Sequence, residues 1–203
     1  MPDTGDYVSV GRYPFVLYPA APGDLDTVVG LVREASRWLK GIGTDQWQKP
    51  WPSRAGQRER IRDDLLKGKT WLLKDGQTIV ATITVDNDEP LDLNEHPVWP
   101  SDERSTPVMY VRRVIVSRQY ASQRLGAALL DWAADRAERQ GAELIRIDVW
   151  TTNKRLHHYY ENRHFKPCRN SHGQRGYPSQ ALFERPVGVR VLDFTKLFRT
   201  IEA

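Results

Sequence analysis

YVRRVIVSRQYASQRLGAALL, residues 110–130, is the stretch from which the rest of the chain can be ordered. Tyr110 to Val116 reads as a buried strand, in which Val114 and Val116 alternate with Arg113 and Ile115 in a β-branched run bounded by polar residues. Ser117 to Ala121 reads as a short polar turn, and an amphipathic helix follows. Leu125, Ala128, Leu129, Trp132 and Ala133 fall at i, i+3, i+4, i+7 and i+8, one apolar stripe. Ser122 is placed to cap this helix and Gly141 to end it. A strand that turns straight into a helix leaves the first helical N–H groups without intrahelical partners, at the positive end of the helix dipole. Such a spot suits a phosphate group. Arg118, Gln123 and Arg124 surround it with side chains able to grip phosphate oxygens.

The elements on either side extend the pattern. Phe15 to Tyr18 is a first strand, stopped by Pro19 and Pro22. Leu25, Val28, Val29, Val32 and Ala35 make a helical stripe behind Asp24, ending near Gly41. Arg54 to Lys67 is a second helix with Ile61, Leu65 and Leu66 inward. Thr70 to Lys74 and Gln77 to Val85 flank Asp75-Gly76, a hairpin signal. Ala142 to Trp150 is another strand, Thr151 to Asn153 can initiate a helix containing Leu156, Tyr159 and Tyr160, and Phe165 to Arg169 and Gln180 to Arg185 are short strands. The order β-α-α-β-β-β-α-β-α-β-β predicts an α/β fold, one twisted mixed sheet with helices on both faces.

Two loops stand out. GIGTDQWQKPWPSR (41–54) carries Trp47 and Trp51, which either pack on the core or wall a substrate cleft; packing is the simpler reading. Asp86 to Pro107 is a long polar connection, and because it leads into the central strand it is expected to overhang the site as a lid.

Composition bounds the function. The chain has 203 residues with 39% hydrophobic content and seven Trp, enough for a core. Residues 1–13 read as a flexible leader, 14–185 as the domain, and 186–203 as an extension packed on it. No segment is long and apolar enough to span a bilayer, and the first residues lack a signal-peptide pattern. The single cysteine, Cys168, excludes an internal disulfide and gives no metal-site spacing. A cytoplasmic protein without metal is expected. The net charge is +4 and the pI about 9.2, but the charges are interspersed, as in RERIRDDLLKGK (58–69). That pattern reads as a solvated helix face, and neither a nucleic-acid nor a membrane partner is expected.

Two regions together resemble the GNAT superfamily of acetyl-CoA-dependent N-acetyltransferases, with the likeness running from about Phe15 to Arg185. VIVSRQYASQRLGAALL (114–130) is similar to the family's strand-turn-helix, whose signature is Gln/Arg-x-x-Gly-x-Gly/Ala. DVWTTNKRLHHYYENRHF (148–165) is similar to its strand, Asn, and helix with a Tyr-Glu pair before Gly-Phe. The chain departs from the pattern at three positions: Ala121 replaces the leading Gln/Arg, Arg124 the first Gly, and His164 the Gly before Phe. Gly126 is kept.

The resemblance implies a GNAT-like fold and direct transfer of acetyl from the cosubstrate acetyl-CoA to a primary amine of a small molecule or peptide. It implies that the backbone of Val114, Ile115 and Val116 pairs with the pantetheine amides. It gives the pyrophosphate to the backbone of Ala121, Ser122, Gln123, Arg124, Leu125, Gly126 and Ala127, and a cofactor contact to Asn153. Tyr160 would protonate the leaving thiolate, a role suited to a group whose pKa of about 10 lies near that of a thiol; Tyr159 is expected to face the core. Asp148 is the candidate base, acting through water, or else a structural hydrogen-bond partner. His157 and His158 titrate in a useful range but are expected to face solvent. A strand N–H near Val114 to Val116 would meet the oxyanion. Asp45, Glu103 and Tyr177 lie on loops where they could recognise a cationic acceptor or be ordinary surface. A non-catalytic acyl-CoA sensor on the same fold is the alternative. Relatives of this kind are often dimers, so a homodimer is open to it.

Overall fold

A computed structural model of the chain describes residues 6–10, 13–91, 97–99, 106–168, 177–192 and 198–200. One nine-stranded mixed sheet organises them. The strands are β1 (Asp6–Val10), β2 (Tyr13–Pro19), β3 (Thr70–Asp75), β4 (Thr78–Asp86), β5 (Val108–Val116), β6 (Leu144–Val149), β7 (Lys166–Pro167), β8 (Ala181–Pro186) and β9 (Phe198–Thr200). The helices are α1 (Leu25–Gly41), α2 (Arg54–Leu66), α3 (Leu125–Arg139) and α4 (Lys154–Glu161). The spatial order is β7-β8-β6-β5-β4-β3-β2-β1-β9.

Alternation along each strand sends side chains to two cores. On β3, Trp71 and Leu73 point to the α3 side, where Trp71 meets Trp132 with ring centroids 4.9 Å apart. Leu72 points the other way and packs with Val28, Val32, Ile61 and Leu65 of α1 and α2. This period-two division is what a sheet covered on both faces requires. Asp75-Gly76 makes the β3–β4 hairpin, and Gly76 supplies the positive φ of 56° that the turn needs.

Local chemistry sets the helix ends. Ser53 caps α2, its Oγ accepting from Gly56 N–H at 3.0 Å. Asn153 caps α4, its Oδ1 accepting from Leu156 N–H at 3.1 Å. α3 differs from the expectation: its N-cap is Arg124, not Ser122, and both residues adopt left-handed φ (59° and 70°). An N-cap side chain normally reaches the helix from an extended backbone; a left-handed Ser122 is in no such conformation.

Two further corrections concern the chain's outer parts. Residues 6–10 of the expected leader form a strand antiparallel to β2, and β9 pairs with β1 on the outer edge. Within the expected lid, Val98 and Trp99 are buried against Tyr110 and Leu182. Residues 92–96 and 100–105 lie outside the described residues.

The feature that positions the site is a divergence. β5 and β6 run parallel but pair only at Val108–Leu144, Met109–Ile145 and Tyr110–Arg146. Beyond that point β6 continues against β8 through Val149–Ala181. β5 continues against β4 to Val116, with a bulge: Thr82 and Thr84 face Ile115 and Arg112, so two steps on β4 match three on β5. Arg113 sits in the bulge at a φ of 49°. A bulge raises local twist and bends its strand, and here it turns β5 away from β6.

Candidate active site

The cavity formed where β5 and β6 part has a volume of about 560 Å³. Its walls come from α1, the Trp-rich loop, α2, β5, β6, α4 and the segment before β8. Val114, Ile115 and Val116 line it on one side, and Ile147, Asp148 and Val149 on the other. Their facing backbone edges carry no strand partner among the described residues.

At one end lies the head of α3. Among the described residues, the backbone N–H groups of Ser122, Gln123, Arg124, Leu125 and Gly126 donate to no protein acceptor; the first intrahelical bonds begin at Ala127 and Ala128. Ala121 N–H bonds to Arg118 carbonyl at 3.2 Å, and Arg118 N–H to Glu34 Oε1 at 2.6 Å, so the free run starts at Ser122. Consecutive free donors at a positive helix terminus form an anion cradle. The Arg124 guanidinium does not plug it. That side chain is exposed and donates to Val191 carbonyl at 3.5 Å. The backbone takes the left-handed shape a glycine would supply, and the side chain leaves the cradle.

Gly126 is constrained more tightly. A Cβ at this position would meet the Tyr159 hydroxyl at 2.3 Å. Tyr159 is thus half-buried in the cavity wall against the first turn of α3, rather than simply facing the core. The Arg163 guanidinium lies 3.4 Å over its ring. These features fit a pyrophosphate at the α3 terminus and an amide-bearing arm along Val114 to Val116.

Tyr160 also lines the cavity and is 5% exposed. Phe165 and Phe183 hold its ring at centroid distances of 5.5 and 6.4 Å. Its hydroxyl makes no hydrogen bond among the described residues, and burial pushes its pKa well up, so it stays protonated. Asn153 reaches the cavity, but its amide is held by protein: Nδ2 donates to Gln46 Oε1 at 2.6 Å while Oδ1 caps α4. Its position reads first as an anchor between α4 and the Trp-rich loop.

Asp148 lies in the opposite part of the cavity, where the Tyr177 hydroxyl donates to its Oδ2. Burial raises the Asp148 carboxyl above its ordinary 3.8, against the lowering effects of that hydrogen bond and of Arg112 and Arg60. Tyr177 meets Trp51 edge-on at 5.0 Å, and the Arg60 guanidinium lies over the Trp51 ring at 4.7 Å. Both Trp47 and Trp51 line the cavity, and Trp47 also packs against the core under α1 and α2.

The remaining candidates stand elsewhere. The His157 ring nitrogen pairs with Trp150 carbonyl at 3.0 Å, exposed His158 pairs with Glu161 at 2.8 Å, and neither lines the cavity. Asp45 accepts from Trp150 Nε1 at 3.1 Å and from Thr152, which ties the Trp-rich loop to the end of β6; the Thr152 bond lowers its pKa. Glu103 lies outside the described residues, and none of the described residues of 86–107 lines the cavity.

Sequence reasoning missed Arg60, Arg112 and Arg113. Arg112 Nη2 lies 2.8 Å from Asp86 and 3.3 Å from Asp64, and Arg113 pairs with Asp64. Two adjacent arginines on a buried strand were the available signal, since such charges need partners.

The chain is similar to known proteins over most of its length. A family model described as "Acetyltransferase (GNAT) family" matches residues 32–165. A relative from Bacillus subtilis (strain 168), the uncharacterized N-acetyltransferase YesJ, is 26% identical over 146 residues, covering 72% of this chain and 78% of its own. A GNAT-family acetyltransferase structure from Listeria monocytogenes 4b F2365 superposes with a TM-score of 0.70 at 20% identity, over 89% of this chain and 99% of that one. The PaiA N-acetyltransferase of Thermoplasma acidophilum, solved in complex with coenzyme A, gives 0.58 at 16% identity over 85% and 98%. These two likenesses are likenesses of fold. Among the described residues no helix is long and apolar enough to cross a membrane.

Proposed function

The chain belongs to the acetyltransferase (GNAT) family, and from that premise we propose that it transfers an acetyl group directly from acetyl-CoA to a primary amine of a small molecule or peptide. The observation that carries this reading is the parting of β5 from β6 after Tyr110 and Arg146, beside the free N–H run of residues 122–126. The reading requires no nucleic acid, membrane or metal, leaves a homodimer open, and takes the cytoplasm as the place of the reaction.

When bound, acetyl-CoA supplies an activated carbonyl and a thiolate leaving group. The chain supplies the rest. The N–H groups of Ser122 to Gly126 neutralise phosphate charge, with Arg118 and Arg155 in the cavity wall nearby. The unpaired β5 edge, Val114 to Val116, offers amides to an extended arm and an N–H to a developing oxyanion. Tyr160, protonated and without a protein acceptor, donates to the departing sulfur. Asp148 receives the proton lost by the attacking nitrogen. Its raised pKa makes it a better base than an exposed aspartate, and the Tyr177 hydroxyl orients it. Cys168 is half-buried and lies outside the cavity wall, so no acetyl-cysteine step is assigned to it.

The test combines calorimetric titration with CoA and detection of free thiol across an amine panel. The expected result is CoA binding, turnover with at least one amine, and a Tyr160→Phe variant whose kcat falls about ten- to a thousandfold with acetyl-CoA binding intact. Absence of CoA binding overturns the reading. Binding without turnover favours the sensor alternative, and an unchanged kcat removes Tyr160 from the mechanism.

A further inference from the structure

The part of the cavity lined by Arg112 and Arg113 lies about 10 Å along β5 from Val116, at 3.3–3.4 Å per residue. Its charges are unevenly satisfied. Arg112 and Arg113 share Asp64, and Arg112 also has Asp86. Arg60, projecting from α2, makes no ion pair at contact distance among the described residues, and Asp148 acts on it only from farther off. Its guanidinium rests on the Trp51 ring at 4.7 Å and lines the cavity. Burial lowers its pKa; Tyr177 and Asp148 work against that, and the like charge of Arg112 adds to it. The Arg113 pKa is lowered to about 10 by burial and then by Arg60, with Asp148 and Tyr177 opposing the shift. A half-buried guanidinium that faces like charges, with Asp148 and Tyr177 acting on it only from beyond ion-pair distance, is incompletely compensated, and an anion placed between the arginines supplies the missing contact.

Among the described residues, Asp148 is the only acidic side chain lining the cavity, and it is already engaged by Tyr177. A polyamine would bring several positive charges against this arginine cluster. A zwitterion matches it: an amine directed to Asp148 and Tyr177, a planar carboxylate to the guanidinium fork. Trp47, Trp51 and Ile61 offer apolar walls for the body between them.

We propose that the acceptor is an amine that also carries a carboxylate, of the amino-acid class, and that Arg60 is the residue that binds the carboxylate. This rests on the acetyltransferase reading above and narrows its acceptor. It is tested by calorimetric titration of the CoA-loaded full chain with glycine, leucine, phenylalanine and glutamate, against glycinamide, leucinamide, phenylalaninamide and spermidine. At least one amino acid is expected to bind about ten- to a hundredfold more tightly than its amide, the scale of a charge-assisted bidentate contact. Arg60→Met should abolish that preference while CoA still binds, and Arg60→Lys should restore part of it. Amides or spermidine binding as tightly as the amino acids, no binding by any amino acid, or a preference that survives Arg60→Met would each overturn the proposal. Acetyl transfer to amides or spermidine alone, read as thiol release, overturns it while sparing the acetyltransferase reading. Failure to bind CoA sinks that reading instead, and the same titrations on the unloaded chain then decide the carboxylate site.

Discussion

At the α3 end of the cavity the hydrogen-bond donors are backbone N–H groups, Ser122 to Gly126; at the α2 end the groups on offer are the side chains of Arg60, Asp148 and Tyr177. A site built from backbone tolerates almost any side chain whose φ/ψ can be reached, so Ala121 and Arg124 can stand where the family keeps other residues. A site built from side chains is changed by single substitutions and draws its members from distant parts of the chain. Arg60 sits on α2, Asp148 on β6, and Tyr177 in the segment before β8. The same fold can thus hold one cosubstrate by a fixed device while the acceptor end varies.

If the two ends are so divided, Asp148→Asn should separate them most sharply. The carboxyl's pKa is raised in the folded state, chiefly by burial, with Tyr177, Arg112 and Arg60 facing it. Below about pH 4 the group is protonated whether folded or not, and contributes nothing. As pH rises past the ordinary 3.8, the unfolded chain ionises freely while the folded chain resists, so stability is lost with rising pH. Asn keeps an acceptor for the Tyr177 hydroxyl and never ionises. Thermal melts should therefore show Asp148→Asn matching the wild type near pH 3 and exceeding it at pH 7. Its kcat should fall about ten- to a hundredfold with CoA affinity unchanged. A variant less stable at pH 7, or one with full activity, would show Asp148 to be ordinary structure.

Gly126→Ala probes the other end. The new Cβ has no room beside the Tyr159 hydroxyl, 2.3 Å away, but the next ring atom, Cζ, lies at an ordinary 3.5 Å. The variant should lose about 1–3 kcal/mol of stability, as overpacked sites do, and bind CoA about tenfold more weakly. In a Tyr159→Phe background the same substitution should cost little, and the double-mutant cycle measures the coupling. Equal costs in both backgrounds would place the strain elsewhere.

These two ends also differed in how far they could be read from the amino-acid sequence. The β-branched run at 110–116 and the stripe Leu125 to Ala133 are local signals, so the strand-turn-helix and the free N–H groups at its helix terminus were legible. The cap was not. Ser122 has the favoured residue type, but the turn puts both Ser122 and Arg124 in left-handed conformations, which composition does not betray. Asp6–Val10 was missed because a five-residue strand takes its stability from pairing with β2 and β9, contacts the local pattern does not carry. Arg60 was hidden for a different reason. Within RERIRDDLLKGK it looks like any solvated charge, and only the arrival of Trp51, Tyr177 and the bulged β5 makes it part of a wall. Asn153 was picked out in the sequence and does line the cavity, yet its bond to Gln46 depends on how the Trp-rich loop packs.

Arg124→Gly asks the smallest and most discriminating question of the backbone-built end. A non-glycine residue held at a φ of 59° stores conformational strain, of order 1–3 kcal/mol where the surroundings impose it. Glycine relieves that strain but gives back some of the gain through its freer unfolded chain. The net expectation is a stabilisation of about 0.5–1 kcal/mol, a rise of roughly 2–4 °C per kcal/mol in Tm for a chain of this size. Because the guanidinium leaves the cradle for Val191 carbonyl, the CoA dissociation constant should change less than about threefold, well short of a lost charge-assisted contact. A tenfold weakening would mean that the side chain swings back to the phosphates. The contrast between a backbone-built end and a side-chain-built end would then dissolve at the residue where this chain departs from the family pattern.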